Sequence, residues 1–370
     1  MRGRRVLYIV SEDAPGMRPY AATILQSQLN AESHALIVIR SEESKRSYSS
    51  LPQQTITFID YPQGKLSKLM WHFYPKRLVD RINDVIAKND IDLVYTLTGE
   101  ISLAYVFGAI QSKVKVLHTV HDANEHDMKH TSVVSLLKHK ILVAYPSKMM
   151  CRKAKNLITN SKNQVEALQM RFPKKQVFYA PFPTLVNDAI KNGGKAVAEL
   201  AGIDDYILFF GNVNLYKGMH LLHALYRNNK ASLGDRKLVI AGVGDNYYGE
   251  HDDADVIRIN RFVDDSELKD LFGKASLVVY PYISATQSGV LSIASYFGKK
   301  MVLSNVPFFA SIAEGQKGIK AVDVNDEVAF LDAMKEMLSL DEDSKSIYAD
   351  VYESSKLKEV ISGVYDKICK

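Results

Sequence analysis

Short apolar runs alternate with longer amphipathic stretches along the whole chain. The runs are four to seven residues long and rich in Val, Ile, Leu and Tyr. Runs of this length, followed by a turn and a helical pattern, indicate strands in βαβ units, which form parallel sheets. The predicted strands are residues 6–10, 35–39, 55–59, 93–97, 114–120, 156–159 and 177–180 in the first half, and 206–210, 237–241, 256–259, 277–280, 301–304 and 319–322 in the second.

This rhythm predicts an α/β protein with two doubly wound parallel-sheet, Rossmann-like domains that face each other across a cleft. A chain of 370 residues is too long for one ordinary core. Pro181 and Pro183 end the last strand of the first half, and Gly193-Gly194 marks a loop soon after. We therefore expect an N-terminal domain over 1–185, a C-terminal domain over 186–350, and a C-terminal helix over 351–370 that packs back towards the N-terminal domain.

The net charge of +5 is divided unevenly between the halves. Residues 1–185 carry 26 Lys and Arg against 15 Asp and Glu, a balance of +11, whereas residues 186–370 carry 21 against 27, a balance of −6. Such asymmetry concerns partners rather than fold. Two interpretations stay open: the first half faces a phosphate, a nucleic acid or a lipid surface, or it simply has a solvated basic face.

Cysteine use and the N-terminal sequence favour a cytoplasmic protein. Cys151 and Cys369 are the only cysteines, and neither has the spacing of a zinc site or a redox pair. The apolar run 6–10 is too short for the core of a signal peptide and far too short to span a bilayer. We expect a location in the cytoplasm.

A loop with one lysine follows the predicted strand 206–210. It runs from Gly211 to Lys217-Gly218 and leads into a helical pattern. Glycine lets the backbone approach a ligand closely, and a lysine binds phosphate as a point charge. The loop suits a diphosphate; the alternative is a solvated lysine at a turn.

A second candidate loop follows the predicted strand 277–280. It extends from Pro281 to Gly289, and a helix is predicted to begin near Ser288. Free backbone N–H groups at a helix N-terminus attract anions without a basic side chain. Ser288 and Gly289 would then hold phosphate oxygens, whereas in the alternative Ser288 only caps its helix.

Two further positions come from the first half. Gly16 lies in the loop after the first strand, and His121 follows the strand 114–120, at the end where a polar group facing the cleft is expected. A histidine that is bonded within the structure is the alternative for His121.

In their order along the chain, these motifs resemble the retaining family 4 glycosyltransferases of the GT-B type, over nearly the whole chain. The matching elements are Gly211 with Lys217-Gly218, then Ala241-Gly242-Val243-Gly244, then 261–268, then Ala285–Leu291. The resemblance implies a donor-diphosphate site of Gly16, Gly211, Lys217, Ser288, Gly289 and Val290, a nucleoside site of Gly244, Phe262 and Val263, and a donor-sugar site of His121, Thr286 and Gln287. It also implies that His121 and Lys217 are the catalytic residues.

The resemblance further implies sugar transfer from a UDP- or GDP-linked donor with retention. Neither a metal ion nor a cofactor beyond this substrate is expected, because lysine and the helix dipole can stabilise the leaving diphosphate. The sequence also has no Asp-x-Asp motif placed after a candidate strand of the first domain.

Two departures from the family pattern keep other functions open. Asn212 stands where the family usually has an arginine, and Ala285 and Ile293 stand where it usually has two glutamates, although Ser284, Thr286 or Gln287 can replace these in part. One alternative is a catalytically degenerate nucleotide-sugar-binding partner protein. The enzymic alternative is a non-hydrolysing nucleotide-sugar epimerase, which would need cleft carboxylates that the motif loops mostly lack.

Two stretches combine basic and apolar residues. Residues 65–81 are one, and residues 129–175 are the other, with eleven Lys and Arg against the single Glu166. Such stretches are typical of membrane-surface segments, in which each basic residue adds about 1 kcal/mol near an anionic leaflet. We expect a glycan or polyprenyl-diphosphate-linked acceptor of cell-surface polysaccharide biosynthesis, and peripheral contact with the inner face of the membrane. Helices with outward-facing lysines are the alternative. Because no aromatic stacking platform is apparent, nucleic acid is not expected as a partner.

Overall fold

The computed structural model describes residues 4–11, 17–110, 114–122, 144–245, 253–341 and 348–370. The chain divides into two compact units, one formed by Met1–Pro183 with Ser354–Lys370 and the other by Thr184–Glu353. This division lies two residues from the boundary that the sequence indicates, and the last helix belongs to the first unit.

The first unit is built on a parallel sheet in the order β3-β2-β1-β4-β5-β6-β7. The inner strand β1 pairs on both sides, with Tyr8 opposite Ala35 and Tyr95. The strands are β1 Val6–Val10, β2 His34–Ile39, β3 Ile56–Asp60, β4 Leu93–Thr96, β5 Lys115–Val120, β6 Asn156–Thr159 and β7 Gln176–Tyr179. The helices are α1 Arg18–Gln28, α2 Glu42–Arg46, α3 Lys65–Phe73, α4 Lys76–Asn89, α5 Leu103–Ile110, α6 Tyr145–Lys153, α7 Lys162–Arg171 and, at the end of the chain, α14 Ser354–Cys369.

The second unit has a parallel sheet in the order β10-β9-β8-β11-β12-β13. Its strands are β8 Tyr206–Phe210, β9 Leu238–Ala241, β10 Val256–Ile259, β11 Ala275–Tyr280, β12 Met301–Ser304 and β13 Ile319–Val322. Its helices are α8 Asp188–Asn192, α9 Met219–Asn229, α10 Leu268–Lys274, α11 Val290–Tyr296, α12 Pro307–Ala313 and α13 Glu327–Ser339.

All of the predicted strands are present, and the predicted fold class is confirmed. The inner strands are apolar without interruption because helices cover both faces of each sheet, so that every side chain of β1 and β9 is buried. In both sheets the chain winds outward in one direction and then in the other. The switch lies between β1 and β4 in the first unit and between β8 and β11 in the second.

The last helix is part of the first unit's core. Leu357 and Ile361 of α14 are buried against apolar residues of β1 and α1. The hydroxyl of Tyr365 lies 3.0 Å from that of Tyr8, within the same core. Among the described residues, no helix is long and apolar enough to cross a membrane.

Candidate active site

The loops after β8 and β11 meet at the switch point of the second sheet, where open α/β sheets bind ligands. The backbone N–H of Ile283 donates to the carbonyl oxygen of Tyr216 at 2.7 Å. Gly218 has a left-handed φ of +67°, and a Cβ at this position would overlap the carbonyl oxygen of Pro281. The two loops are therefore joined into one backbone surface, and only glycine fits at this contact.

Lys217 lies at the centre of this junction. Its Nζ is 4.8 Å from the ring centroid of Tyr282 in the β11 loop. A Cβ built on Gly211 would lie 3.2 Å from this Nζ and 3.7 Å from Cγ1 of Val290. Three predicted diphosphate-binding residues, Gly211, Lys217 and Val290, thus come together.

The surroundings of Lys217 favour its charged form. Burial by itself lowers the pKa of the ammonium group, but Tyr282 and Tyr216 oppose this effect, and the net pKa is raised above its usual value. Lys217 is the only basic residue between Gly211 and Gly218 or between Pro281 and Val290. The junction therefore presents one cation to a ligand.

Ser288 and Gly289 precede helix α11, as predicted. Gly289 is the N-cap residue, and Ser288 is only 8% exposed. The hydroxyl of Ser292 donates to the carbonyl oxygen of Gly289 at 2.6 Å and accepts the backbone N–H of Leu185 at 3.0 Å. Thr286 and Gln287 lie partly buried in the same loop. These bonds fix the first turn of α11 beside the Lys217 junction.

The loops after β9 and β10 continue this edge of the sheet. Gly242 and Gly244 have φ angles of +141° and +154°, and a Cβ on either would overlap a backbone carbonyl of the β8 loop. The N–H of Gly244 donates to Oδ1 of Asn260 at 3.2 Å, which ties the β9 loop to the β10 loop. Phe262 is 75% exposed, whereas Val263 is 4% exposed and part of the core. A nucleoside can thus meet the Phe262 ring but only the backbone of Val263.

Arg261, beside these predicted nucleoside residues, has a structural role. Its guanidinium group donates to both carboxylate oxygens of Glu199, at 2.7 and 2.9 Å, and to both of Glu267, at 2.8 and 3.0 Å. Such paired bonds hold the β10 loop in place.

The family departures seen in the sequence have clear structural counterparts. Asn212 is exposed, Ala285 packs against the apolar core, and Ile293 is 4% exposed within that core. The position of the second expected glutamate is therefore occupied by an apolar core side chain.

In the first unit, His121 follows β5 beside the switch point between β1 and β4. Its Nε2 donates to the carbonyl oxygen of Leu97 at 2.8 Å, since a carbonyl can only accept. The Tyr20 ring meets the imidazole edge to face at 4.8 Å, and Gln164 Nε2 donates to the backbone carbonyl of His121 at 3.0 Å. Burial lowers the pKa of His121, although the bond to Leu97 and the Asp122 carboxylate oppose this. The bond to Leu97 and the contact with Tyr20 fix the orientation of the His121 ring, and its lowered pKa keeps the imidazole neutral near pH 7.

The predicted Gly16 lies outside the described residues. The start of its loop is described: the N–H of Ser11 donates to Oγ1 of Thr98 at 3.0 Å, and the Ser11 hydroxyl donates to the Thr98 carbonyl at 3.1 Å. These bonds join the loops after β1 and β4 at the first unit's switch point.

Glu100, in the loop after β4, is a mostly buried carboxylate that sequence patterns did not reveal. Its Oε2 accepts from Trp71 Nε1 at 3.1 Å and from Ser102 Oγ at 2.6 Å, and its Oε1 lies 2.5 Å from Nδ1 of His72. Nε2 of His72 is 3.0 Å from the hydroxyl of Tyr61. The network attaches helix α3 to the switch-point loop. In the sequence, the one feature that could have indicated this network is the pair of adjacent polar-capable rings, Trp71 and His72, within the basic and apolar stretch 65–81.

Helix α3 presents an apolar face to solvent, and no acidic residue lies on the helix. Exposed fractions are 73% for Leu66, 53% for Leu69, 50% for Met70 and 40% for Phe73. Part of the second basic stretch, residues 129–143, lies outside the described residues. Among the described residues, no group of three or more His, Cys, Asp or Glu side chains could hold a metal ion.

Comparison with known proteins supports the GT-B resemblance. Residues 204–340 match the family model described as glycosyl transferases group 1. These residues all lie within the second unit. Sucrose-phosphate synthase from Thermosynechococcus elongatus is similar in structure, with a TM-score of 0.69, 16% identity and coverage of 99% of each chain. No curated protein matches this chain in sequence.

Two further structures share the architecture. HepE from Anabaena, in complex with UDP, has a TM-score of 0.65 and 14% identity over 98% of this chain and all of its own. A UDP-forming α,α-trehalose-phosphate synthase from Burkholderia vietnamiensis has a TM-score of 0.66 and 10% identity over the full length of both chains. The predicted GT-B architecture is thereby confirmed.

Proposed function

We propose that this protein is a retaining glycosyltransferase that moves a sugar from a UDP- or GDP-linked donor to a glycan or polyprenyl-diphosphate-linked glycan acceptor, in the synthesis of a cell-surface polysaccharide. The observation that carries the proposal is the charged Lys217 at the β8–β11 switch point, joined to the Ser288-Gly289 loop. The group 1 match over the same unit supports a nucleotide-sugar donor.

The chemistry needs stabilisation of the charge that develops on the leaving diphosphate. Lys217 supplies a fixed cation, and Gly211 lets phosphate oxygens approach because it has no side chain beside Nζ. Ser288 and the N–H groups at the start of α11 provide further donors. With retention, the acceptor hydroxyl attacks on the face from which the diphosphate leaves, so that no enzyme nucleophile is required. We expect transfer to proceed without a metal ion.

His121 acts in this proposal as a neutral hydrogen-bonding group. Its lowered pKa means that an imidazole, rather than an imidazolium, would meet a hydroxyl of the donor sugar or the acceptor. The bond to Leu97 sets the orientation of the ring.

The proposed class of acceptor, a lipid-linked glycan, rests on the surface of helix α3. An exposed apolar face with lysines and no acidic residue is the composition of a helix that lies on an anionic leaflet. The Glu100 network fixes this helix to the switch-point loop, close to the edge where His121 lies. A lipid-linked acceptor would be presented at that edge from the membrane surface.

A panel of UDP- and GDP-sugars tests the proposal, scored by mass spectrometry for retained donor and for released nucleoside diphosphate. Release with one donor, undiminished by EDTA, supports a metal-independent transferase. Binding without release, even with a broad acceptor panel, would instead favour the degenerate binding protein that Asn212, Ala285 and Ile293 leave open. Conversion of the donor into its epimer would favour the epimerase.

A further inference from the structure

A charged cavity lies on the first unit, at the edge of the sheet opposite His121. It has a volume of ≈ 1070 Å³ and is formed by residues at the amino ends of β4, β5, β6 and β7 together with the end of α14. Because parallel strands all begin at the same edge of a sheet, residues that are far apart in sequence meet there. His121 follows the carboxyl end of β5, so this cavity is separate from the candidate active site.

The charge of this cavity is strongly one-sided. Among the described residues that line it, one acidic side chain is present, Asp92, and Oδ2 of Asp92 already accepts the backbone N–H of Arg5. The basic residues of the lining are all lysines: Lys115, Lys155, Lys174, Lys175, Lys367 and Lys370. We refer to this set as the lysine cavity. Six ammonium groups around one space repel each other unless an anion lies between them.

Two of these lysines shape the walls. Nζ of Lys115 donates to the carbonyl oxygen of Ile368 at 2.7 Å and so fastens α14 to the start of β5. Nζ of Lys175 donates to the carbonyl oxygen of Ala154 at 2.6 Å, which joins the start of β7 to the end of α6. Burial, and to a smaller extent the neighbouring charge of Lys155, lower the pKa of Lys175. The other four lysines are exposed at the rim.

The remaining lining residues narrow the choice of ligand. None of the described residues that line the cavity is aromatic, and the lining therefore offers no stacking surface of the kind that single-stranded nucleic acids need. Its apolar residues, such as Ile91, Val116 and Ile368, are at most 8% exposed and offer nothing to insert into a bilayer, in contrast to helix α3. Separate ammonium point charges suit phosphate groups. We propose that the lysine cavity binds a small soluble molecule that carries several phosphate groups.

Calorimetric titration of the full chain with inorganic tripolyphosphate at low salt tests this proposal. The triple variant Lys155→Gln, Lys174→Gln and Lys367→Gln should bind about 10-fold or more weakly, since each exposed charge contact contributes a modest amount. These three side chains are chosen because Lys115 and Lys175 hold the walls. Orthophosphate should bind wild type at least about 10-fold more weakly than tripolyphosphate.

Two controls separate the lysine cavity from other sites. A matched triple variant, Lys191→Gln, Lys269→Gln and Lys358→Gln, removes the same charge at exposed positions elsewhere and should bind as wild type does. Because the proposed donor site could also bind tripolyphosphate, the titrations are repeated in a Lys217→Ala background, where binding at the lysine cavity should persist and should still be weakened by the cavity substitutions. No binding to wild type, equal losses in the two triple variants, no binding in the Lys217→Ala background, or equal binding of orthophosphate would each overturn the proposal.

Discussion

Gly218 and Pro281 meet so closely that any side chain on the glycine would overlap the proline's carbonyl oxygen. This contact brings together two loops that begin 70 positions apart in the sequence, after β8 and after β11. Because it lies next to Lys217, it also determines where the single cation of the junction is held. The position of Lys217 is thus a property of the joined loops rather than of the Lys-Gly pair alone.

The first prediction is that Gly218→Ala weakens the binding of UDP or GDP by about 10-fold or more. The new methyl group must push the two loops apart, and the left-handed backbone at Gly218 adds about 1 to 2 kcal/mol of strain. Isothermal titration calorimetry measures the affinity. Gly202→Ala is the matched control, because Gly202 has a φ of +74° in the same unit but no atom within 4 Å of its added Cβ. Parental affinity in Gly218→Ala would show that the junction does not hold the nucleotide.

The second prediction concerns the charge of Lys217. Lys217→Ala should lower the rate of donor turnover by about 100- to 1,000-fold, because one fixed contact to the developing diphosphate charge is lost. Lys191→Ala, which removes an exposed lysine of the same unit, should retain full activity. Steady-state release of nucleoside diphosphate is the measurement. If both variants turn over donor at the same rate as the parent, Lys217 does not contact the diphosphate.

Sequence patterns were sufficient for the strands and for the motif loops, but not for the contacts between those loops. The strands were predictable because both faces of each sheet are covered, so that β1 and β9 are apolar at every position. The importance of Tyr282 was not apparent, since the ring lies 65 positions after Lys217 in the sequence and meets it only because β8 and β11 are neighbours.

Glu100 illustrates the same limit in the first unit. Its partners Trp71 and His72 come from a helix that follows β3, and in the sheet two strands separate β3 from β4. A periodic pattern reports which face of an element is buried, and here α3 turns its apolar side chains outward while Trp71 and His72 make polar contacts beneath. Amphipathicity by itself could not distinguish this arrangement from an ordinary packed helix.

The third prediction tests the role of His121 in transfer. His121→Ala should leave the affinity for the nucleoside diphosphate near the parental value, because all of the proposed diphosphate contacts except Gly16 belong to the second unit. It should greatly reduce sugar transfer. His121→Gln places an amide near the position of Nε2 and can restore the bond to Leu97. If His121 has only a structural role, Gln will rescue transfer; if its imidazole contacts the sugar or acceptor, transfer will stay low in both variants while binding persists.

The fourth prediction is a loss of stability in the first unit below pH 6.5. Burial lowers the pKa of His118 to about 3, and Nδ1 of this histidine lies 2.7 Å from the hydroxyl of Thr96. The unfolded chain takes up this proton near pH 6.5 while the folded chain does not, so the free energy of unfolding falls as the pH falls. At pH 5 this one group should cost about 2 kcal/mol. His121 should contribute in the same direction.

Urea unfolding at pH 7 and pH 5, followed by tryptophan fluorescence, measures this effect. Trp71 is the only tryptophan of the chain and lies in the first unit, so its signal reports on that unit alone. His118→Asn keeps a polar group near Thr96 but cannot titrate, and should show a smaller loss between the two pH values. If the free energy of unfolding falls by the same amount between pH 7 and pH 5 in parent and variant, His118 does not account for the acid sensitivity.

The final prediction is that helix α3 binds anionic membranes. The parent protein should co-sediment with vesicles that contain anionic lipid at low salt and be released as salt rises, because screening shortens the attraction to about 10 Å at 0.1 M. The triple variant Leu66→Ser, Leu69→Ser and Met70→Ser should bind these vesicles about 10-fold or more weakly, since it removes apolar side chains that are at least half exposed and available for insertion.

A matched variant and a second readout decide whether α3 is the binding surface. Val328→Ser with Val360→Ser removes apolar side chains that are 70% and 36% exposed on other helices, outside both basic stretches, and should leave vesicle binding unchanged. The α3 variant should still hydrolyse donor slowly at the parental rate, because its substitutions lie outside the proposed donor site. Equal binding of the parent to neutral and anionic vesicles, or equal binding by both variants, would favour a solvated basic face and a soluble acceptor.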